Sequence, residues 1–116
     1  MIGKKTGTYG EDLAKEYLEG KGFRTVERNY RFGHGEIDII LRDHDVLVFC
    51  EVKMRQTDQF GPPEAAITPR KQSQMKKIAE GYLFEHEIRD QICRFDVVAI
   101  RMEQGKPRIN HIQDAF

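Results

Sequence analysis

Gly35-Glu36-Ile37-Asp38-Ile39-Ile40-Leu41, then Asp43-His44-Asp45, then Val46-Leu47-Val48-Phe49-Cys50-Glu51-Val52-Lys53, is the stretch on which the fold turns. It reads as two β-strands closed into a hairpin. Strand side chains alternate between faces, so Glu36 and Asp38 share one face of the first strand, and Glu51 and Lys53 share one face of the second. A turn centred on His44-Asp45 sets Asp38 opposite Glu51 and Glu36 opposite Lys53. Opposed residues hold their Cβ atoms roughly 4.5–5.5 Å apart, where like charges repel. Two carboxylates so placed need a cation between them. Ile40, Leu47 and Phe49 fall on the same face and give the acids apolar walls. The expectation is a divalent-metal site suited to cutting a phosphodiester.

Oxygen-only ligands suit Mg²⁺ or Mn²⁺. Asp38 and Glu51 would bind the cation directly, and the backbone carbonyl of Val52 could add a further oxygen. Lys53 would position the attacking water or neutralise charge in the transition state, and an ammonium can share a proton there where a guanidinium cannot. The competing reading of so short a pattern is a half-exposed charged hairpin face, with Glu36 and Lys53 as a surface pair.

Outward from the hairpin, Thr8-Tyr9-Gly10-Glu11 fits a capping box, and Leu13, Ala14, Tyr17 and Leu18 recur at helical spacing to about Glu19. Residues 1–7 read as a mobile arm and 8–116 as one domain. Phe23 to Tyr30 predicts a strand, and Met54 to Ile67 a loop that could face substrate. Thr68-Pro69 opens a second helix with Met75, Ile78, Ala79, Tyr82 and Leu83 as its buried stripe. Phe95 to Met102 and Arg108 to Ile112 predict two closing strands. The order is αβββαβ plus a terminal strand: a single α/β domain with a mixed sheet, in which the crossover makes the third and fourth strands parallel.

A length of 116 residues suits one domain, and a 33% charged, 39% hydrophobic composition argues against disorder. Zero formal net charge means that any nucleic-acid-binding face must be balanced by acids elsewhere. Cys50 and Cys93 lack metal-binding spacing, and Cys50 reads as a buried thiol. The four histidines form no cluster; His44 reads as a turn residue and His86 as a helix end. Asp96, among apolar neighbours, reads as a buried hydrogen-bonding residue. Nothing resembles a signal peptide or a membrane span, so the expected location is the cytoplasm.

Several ordered blocks then carry a more specific likeness. Asn29-Tyr30-Arg31, Gly35 to Ile40, Phe49 to Arg55, Phe60-Gly61 and Arg94 to Val98, with Gly10-Glu11 ahead of them, resemble the YraN-like family of small bacterial proteins. That family is similar to the restriction-endonuclease-like, or PD-(D/E)XK, superfamily, and especially to archaeal Holliday junction resolvases. The resemblance implies the same αβββαβ fold, with Asp38, Glu51 and Lys53 in the catalytic positions. It implies that Glu11 approaches the metal, an alternative to its capping role, and that Arg55 and Lys71 lie near the cleft. Glu36 is expected to support Lys53, and Gln72 to orient a water or phosphate. Arg31, Arg55, Arg70 and Lys71 would contact nucleic-acid phosphates, Arg70 and Lys71 at a helix N-terminus. The expected function is a Mg²⁺- or Mn²⁺-dependent endonuclease acting on branched or structured DNA, for which a homodimer would suit paired cuts. The alternative is a non-catalytic nucleic-acid-binding module or an adaptor in a DNA-processing complex.

Overall fold

The Thr68-Pro69 signal and the hairpin both fold as their sequences dictate. A computed structural model describes residues 5–57 and 61–116, with side chains from Thr8 onward. Its elements are α1 (Lys5–Gly20), β1 (Arg24–Phe32), β2 (Gly35–Asp43), β3 (Val46–Arg55), a 3₁₀ turn (Pro63–Ala66), α2 (Pro69–Glu85), β4 (Cys93–Glu103) and β5 (Lys106–Ile112). The strands lie side by side in chain order. All neighbours are antiparallel except β3 and β4, which are parallel because α2 carries the chain back between them. This single α/β domain, a mixed five-stranded sheet flanked by two helices, is consistent with the restriction-endonuclease-like fold.

The sheet separates two apolar cores. Ala14 and Leu18 of α1 pack on Ile39, Leu41, Val48, Cys50, Val98 and Ile100. On the other face, Ile78, Ala79 and Tyr82 of α2 pack on Tyr30, Ile37, Ile40, Leu47 and Phe49. Cys50 is the expected buried thiol, and burial pushes its pKa well up. His44 takes a positive φ in the hairpin turn, and His86 caps the end of α2.

Three expectations need correcting. Helix α1 is already under way at Lys5, so Thr8 lies inside it and no capping box forms at Glu11; residues 1–4 of the expected arm lie outside the described residues. Tyr17 is 38% exposed and so falls off the helix's apolar face, where Ala14 and Leu18 are wholly buried and Leu13 packs beside them. Strand β3 runs to Arg55, because its parallel pairing with β4 persists to Arg55↔Arg101, and so absorbs the start of the expected loop. Asp58 to Phe60 of that loop lie outside the described residues.

Asp96 is wholly buried and saturated with hydrogen bonds. Arg94 donates to it through Nε at 2.9 Å and Nη2 at 3.1 Å, His111 through Nε2 at 2.8 Å, and the backbone N–H of Asp114 at 3.1 Å. It ties β4 to β5 and to the C-terminal turn. His111 Nδ1 lies 2.9 Å from Lys21 Nζ, just past α1, so the link reaches the helix indirectly.

Candidate active site

The β2–β3 pairing follows the expected register from Asp43↔Val46 to Ile39↔Cys50, and there it stops. At the next step a side chain replaces the ladder: the Val52 N–H donates to Asp38 Oδ2 at 2.8 Å. The two strands fork at this level.

The cause lies one strand over, at Asn29, whose φ of +53° is left-handed. Asparagine is among the few residues that tolerate this conformation. Its neighbours Arg28 and Tyr30 pair with Ile39 and Ile37, and unbroken alternation would put them on one face. Instead Arg28 reaches Glu11 and Asp12 on α1, while Tyr30 packs against Tyr82 of α2. Strand β2 switches in step: Ile37 joins Ile40 under α2, and Ile39 joins Leu41 under α1. Asp38 leaves the face of Ile40, Leu47 and Phe49 and turns toward Glu11. The expected shared face is therefore corrected. Asp38 and Glu51 approach across the fork rather than as an opposed pair.

A cleft of about 400 Å³ opens there, and Glu11, Glu36, Asp38, Glu51, Val52, Lys53, Arg55 and Lys71 are among the residues that line it. Carboxylate oxygens of Glu11, Glu36 and Asp38 all lie within 4.8 Å of one another. Glu51 is 3% exposed. Its Oε2 faces Lys53 Nζ at 3.6 Å and Lys71 Nζ at 3.3 Å, while its Oε1 is buried without a hydrogen-bond partner. Burial, then the negative charge of Glu51, raises the pKa of Asp38 to about 8, against the opposing pull of the Val52 N–H. Converging carboxylates, one with an orphaned buried oxygen and another held partly neutral, fit a hard divalent cation.

The remaining candidates fall into three groups. Glu36 joins the acidic cluster and pairs with Arg31 at 3.2 Å, not with Lys53, because the fork carries β3 away from it. Arg55 lines the cleft and donates to the Met54 carbonyl. Lys71 is presented by the first turn of α2, where Thr68 Oγ1 caps the Lys71 N–H at 3.2 Å. Gln72 donates instead to the Ile67 carbonyl at 3.4 Å and does not line the cleft, and Arg70 is exposed outside it.

Asn29 was not among the expected site residues. Its Nδ2 donates to Glu11 Oε1 at 2.9 Å and to Glu36 Oε1 at 3.5 Å, so it bridges two acids of the cluster. Arg28 adds a longer contact to Glu11 at 3.4 Å. The Asn29-Tyr30-Arg31 block marks the position in the sequence, but nothing in its composition announces a face switch inside a strand.

Comparison with known proteins supplies the family. The profile of the uncharacterised protein family UPF0102 matches residues 10–100. A UPF0102 protein of Syntrophus aciditrophicus is 46% identical over 97% of this chain and 88% of its own length. One of Syntrophomonas wolfei is 44% identical over 99% of this chain and 100% of its own. One of Geobacter sulfurreducens is 46% identical over 97% and 89%.

Proposed function

The chain belongs to the UPF0102 (YraN-like) family, and on that footing we propose that it is a metal-dependent nuclease hydrolysing phosphodiesters in structured DNA. The observation that carries this reading is the meeting of Glu11, Glu36, Asp38 and Glu51 with Lys53 at the fork of β2 and β3. Asp38, Glu51 and Glu11 would hold Mg²⁺ or Mn²⁺, with the Val52 carbonyl as a further oxygen. A cation bound by such acids polarises the phosphoryl oxygen and makes a nearby water more acidic.

The chain's own groups do the rest. Lys53 sits beside Glu51, where its ammonium can orient the attacking water and stabilise negative charge growing on the phosphate. Lys71 and Lys53 offset the buried Glu51 charge and are free to turn to a phosphate once a cation takes over that task. Arg55, which lines the cleft, and the exposed Arg31 and Arg70 supply further phosphate contacts that hold the backbone without reading sequence. Glu36, fixed by Asn29 and Arg31, keeps the acidic cluster in place.

The test is cleavage of linear, flapped and four-way DNA, and of RNA, with Mg²⁺, Mn²⁺ or EDTA. Wild-type protein should cut in a metal-dependent way, and Lys53→Ala and Asp38→Ala should each lose at least about a hundredfold, the order expected for removing one transition-state contact. Cutting that survives both substitutions rejects the site. Metal-independent binding without any cutting would favour a binding module.

A further inference from the structure

On the opposite side of the β1–β2 turn from the acids lies a second groove of about 460 Å³, lined by Phe32, His34, Gly35, Gln74, Lys77 and Ile78. Phe32 is the largest apolar side chain in this lining. A Cβ placed on Gly81 of α2 would come within 2.6–2.7 Å of three contiguous atoms of that ring. Only the face of a ring presents three contiguous atoms at equal distance, so Phe32 lies flat on the helix over a residue with no side chain. Gly81 is what lets the ring come so close. Phe32 nonetheless stays 39% exposed, and with Ile78 it gives the groove its apolar lining.

Lys77, His34 and Gln74 give this groove its polar groups, and among the described residues no carboxylate lines it. It adjoins the acidic cleft through the chain itself, because Phe32 pairs with Gly35, the residue before Glu36. Arg31, next to Phe32, is bonded to Glu36 at 3.2 Å and is 72% exposed, which carries positive charge on toward the acids.

We propose that this groove is a stacking subsite for one unpaired base of the nucleic acid cut at the neighbouring cleft. A flat aromatic surface backed by a helix and edged by positive and amide groups suits a nucleobase with its attached phosphate. The bases of a continuous duplex are stacked on each other and offer no free face. The ligand must therefore carry a single-stranded overhang, flap, loop or junction. This rests on the nuclease reading and narrows its substrate to DNA or RNA with an unpaired nucleotide next to the scissile bond.

Binding is measured in EDTA, so that no cutting intervenes, with a duplex bearing a short overhang that contains 2-aminopurine and with the fully paired duplex as control. Wild-type protein should quench the 2-aminopurine on binding, as a stacked base requires. Phe32→Ala should weaken the overhang complex on the order of tenfold, the lower part of the range for loss of one stacked base, and abolish the quench. The paired duplex should bind unchanged. Phe32→Tyr should retain the quench, and Phe32→Leu, which keeps apolar cover over Gly81, should lose it if the ring face is what matters. Lys77→Glu should weaken the overhang complex with the quench intact. Equal affinity and quench in wild type and Phe32→Leu would overturn the subsite, as would equal weakening of overhang and duplex. Metal-dependent cutting by Phe32→Leu with an unchanged KM on the overhang substrate would reject the subsite and leave the nuclease reading standing. Absence of both binding and cutting by wild type would reject the two together.

Discussion

The amide of Asn29 donates to Glu11 from a backbone with a φ of +53°, and substitution can separate these two contributions. Asn29→Gly keeps the left-handed backbone at little steric cost and removes the amide; Asn29→Ala removes both. The glycine variant should unfold within about 1 kcal/mol of wild type and bind Mn²⁺ on the order of tenfold more weakly, as when an outer partner of a metal ligand is lost. The alanine variant should show the same loss of metal affinity and a further destabilisation of about 1–2 kcal/mol. Calorimetric Mn²⁺ titration alongside urea unfolding distinguishes the two, and unchanged Mn²⁺ affinity in Asn29→Gly would rule out a bridging role for the amide. The legibility of this region in sequence was uneven for a physical reason. Asp38, Glu51 and Lys53 stand out because charge inside an apolar strand is costly and conspicuous. Asn29 does not, since a polar residue near a strand end looks like any other turn-forming asparagine. Glu11 could be read as a cap or as a cleft acid, and only the start of α1 at Lys5 separates the two.

At the scale of elements, α2 matters for where it begins. The Thr68 hydroxyl caps the Lys71 N–H, and Pro69 fixes the first turn, so Lys71 is delivered to Glu51 by a well-ended helix. Thr68→Ala should cost about 1 kcal/mol in urea unfolding and speed amide exchange in the first turn of α2 while leaving its last turn as in wild type. Uniform exchange along the helix would mean that the cap does not hold this end. The Thr68-Pro69 signal, the hairpin and the two closing strands were all legible, because caps, prolines and period-2 alternation are local properties of the chain. The fork was not. Counting alternate residues across Asp38 assumes an unbroken period, and the break is imposed by Asn29 on the neighbouring strand. The register was thus readable as far as Ile39↔Cys50, and the faces beyond it were not.

For the molecule as a whole, two aspartates, half-buried Asp38 and buried Asp96, pull its stability in opposite directions with pH. Burial, with Glu51 nearby, raises the Asp38 pKa from 3.8 to about 8, so what Asp38 contributes is full below about pH 4 and is lost as pH rises through 8. At Asp96 burial pushes upward, but the hydrogen bonds from His111, Arg94 and Asp114 outweigh it and hold the pKa below 3.8. Its contribution is present above about pH 4 and is lost as pH falls further. In EDTA the melting temperature should therefore decline from about pH 6 to pH 9, and Asp38→Asn should flatten that decline. Added Mg²⁺ or Mn²⁺ should stabilise the protein more at about pH 8.5 than at pH 6, because cation and proton compete for the same acids. Thermal unfolding across this range checks both, and a wild-type curve in EDTA that is flat from pH 6 to 9 would mean that Asp38 is ionised throughout.

The irregular path of β1 has one more effect, on what the protein does at high concentration. β1 is an edge of the sheet, and its unpaired backbone would be a template for a strand from another molecule. Such addition needs a run of N–H and C=O groups in phase. β1 breaks phase at the register shift between Thr25 and Glu27 and again at the left-handed Asn29, only a few residues apart. At the far edge, β5 carries Pro107, which has no N–H to offer, between Lys106 and Arg108. The same kink that aims Asp38 at the cleft thus helps to keep the sheet from growing into aggregates.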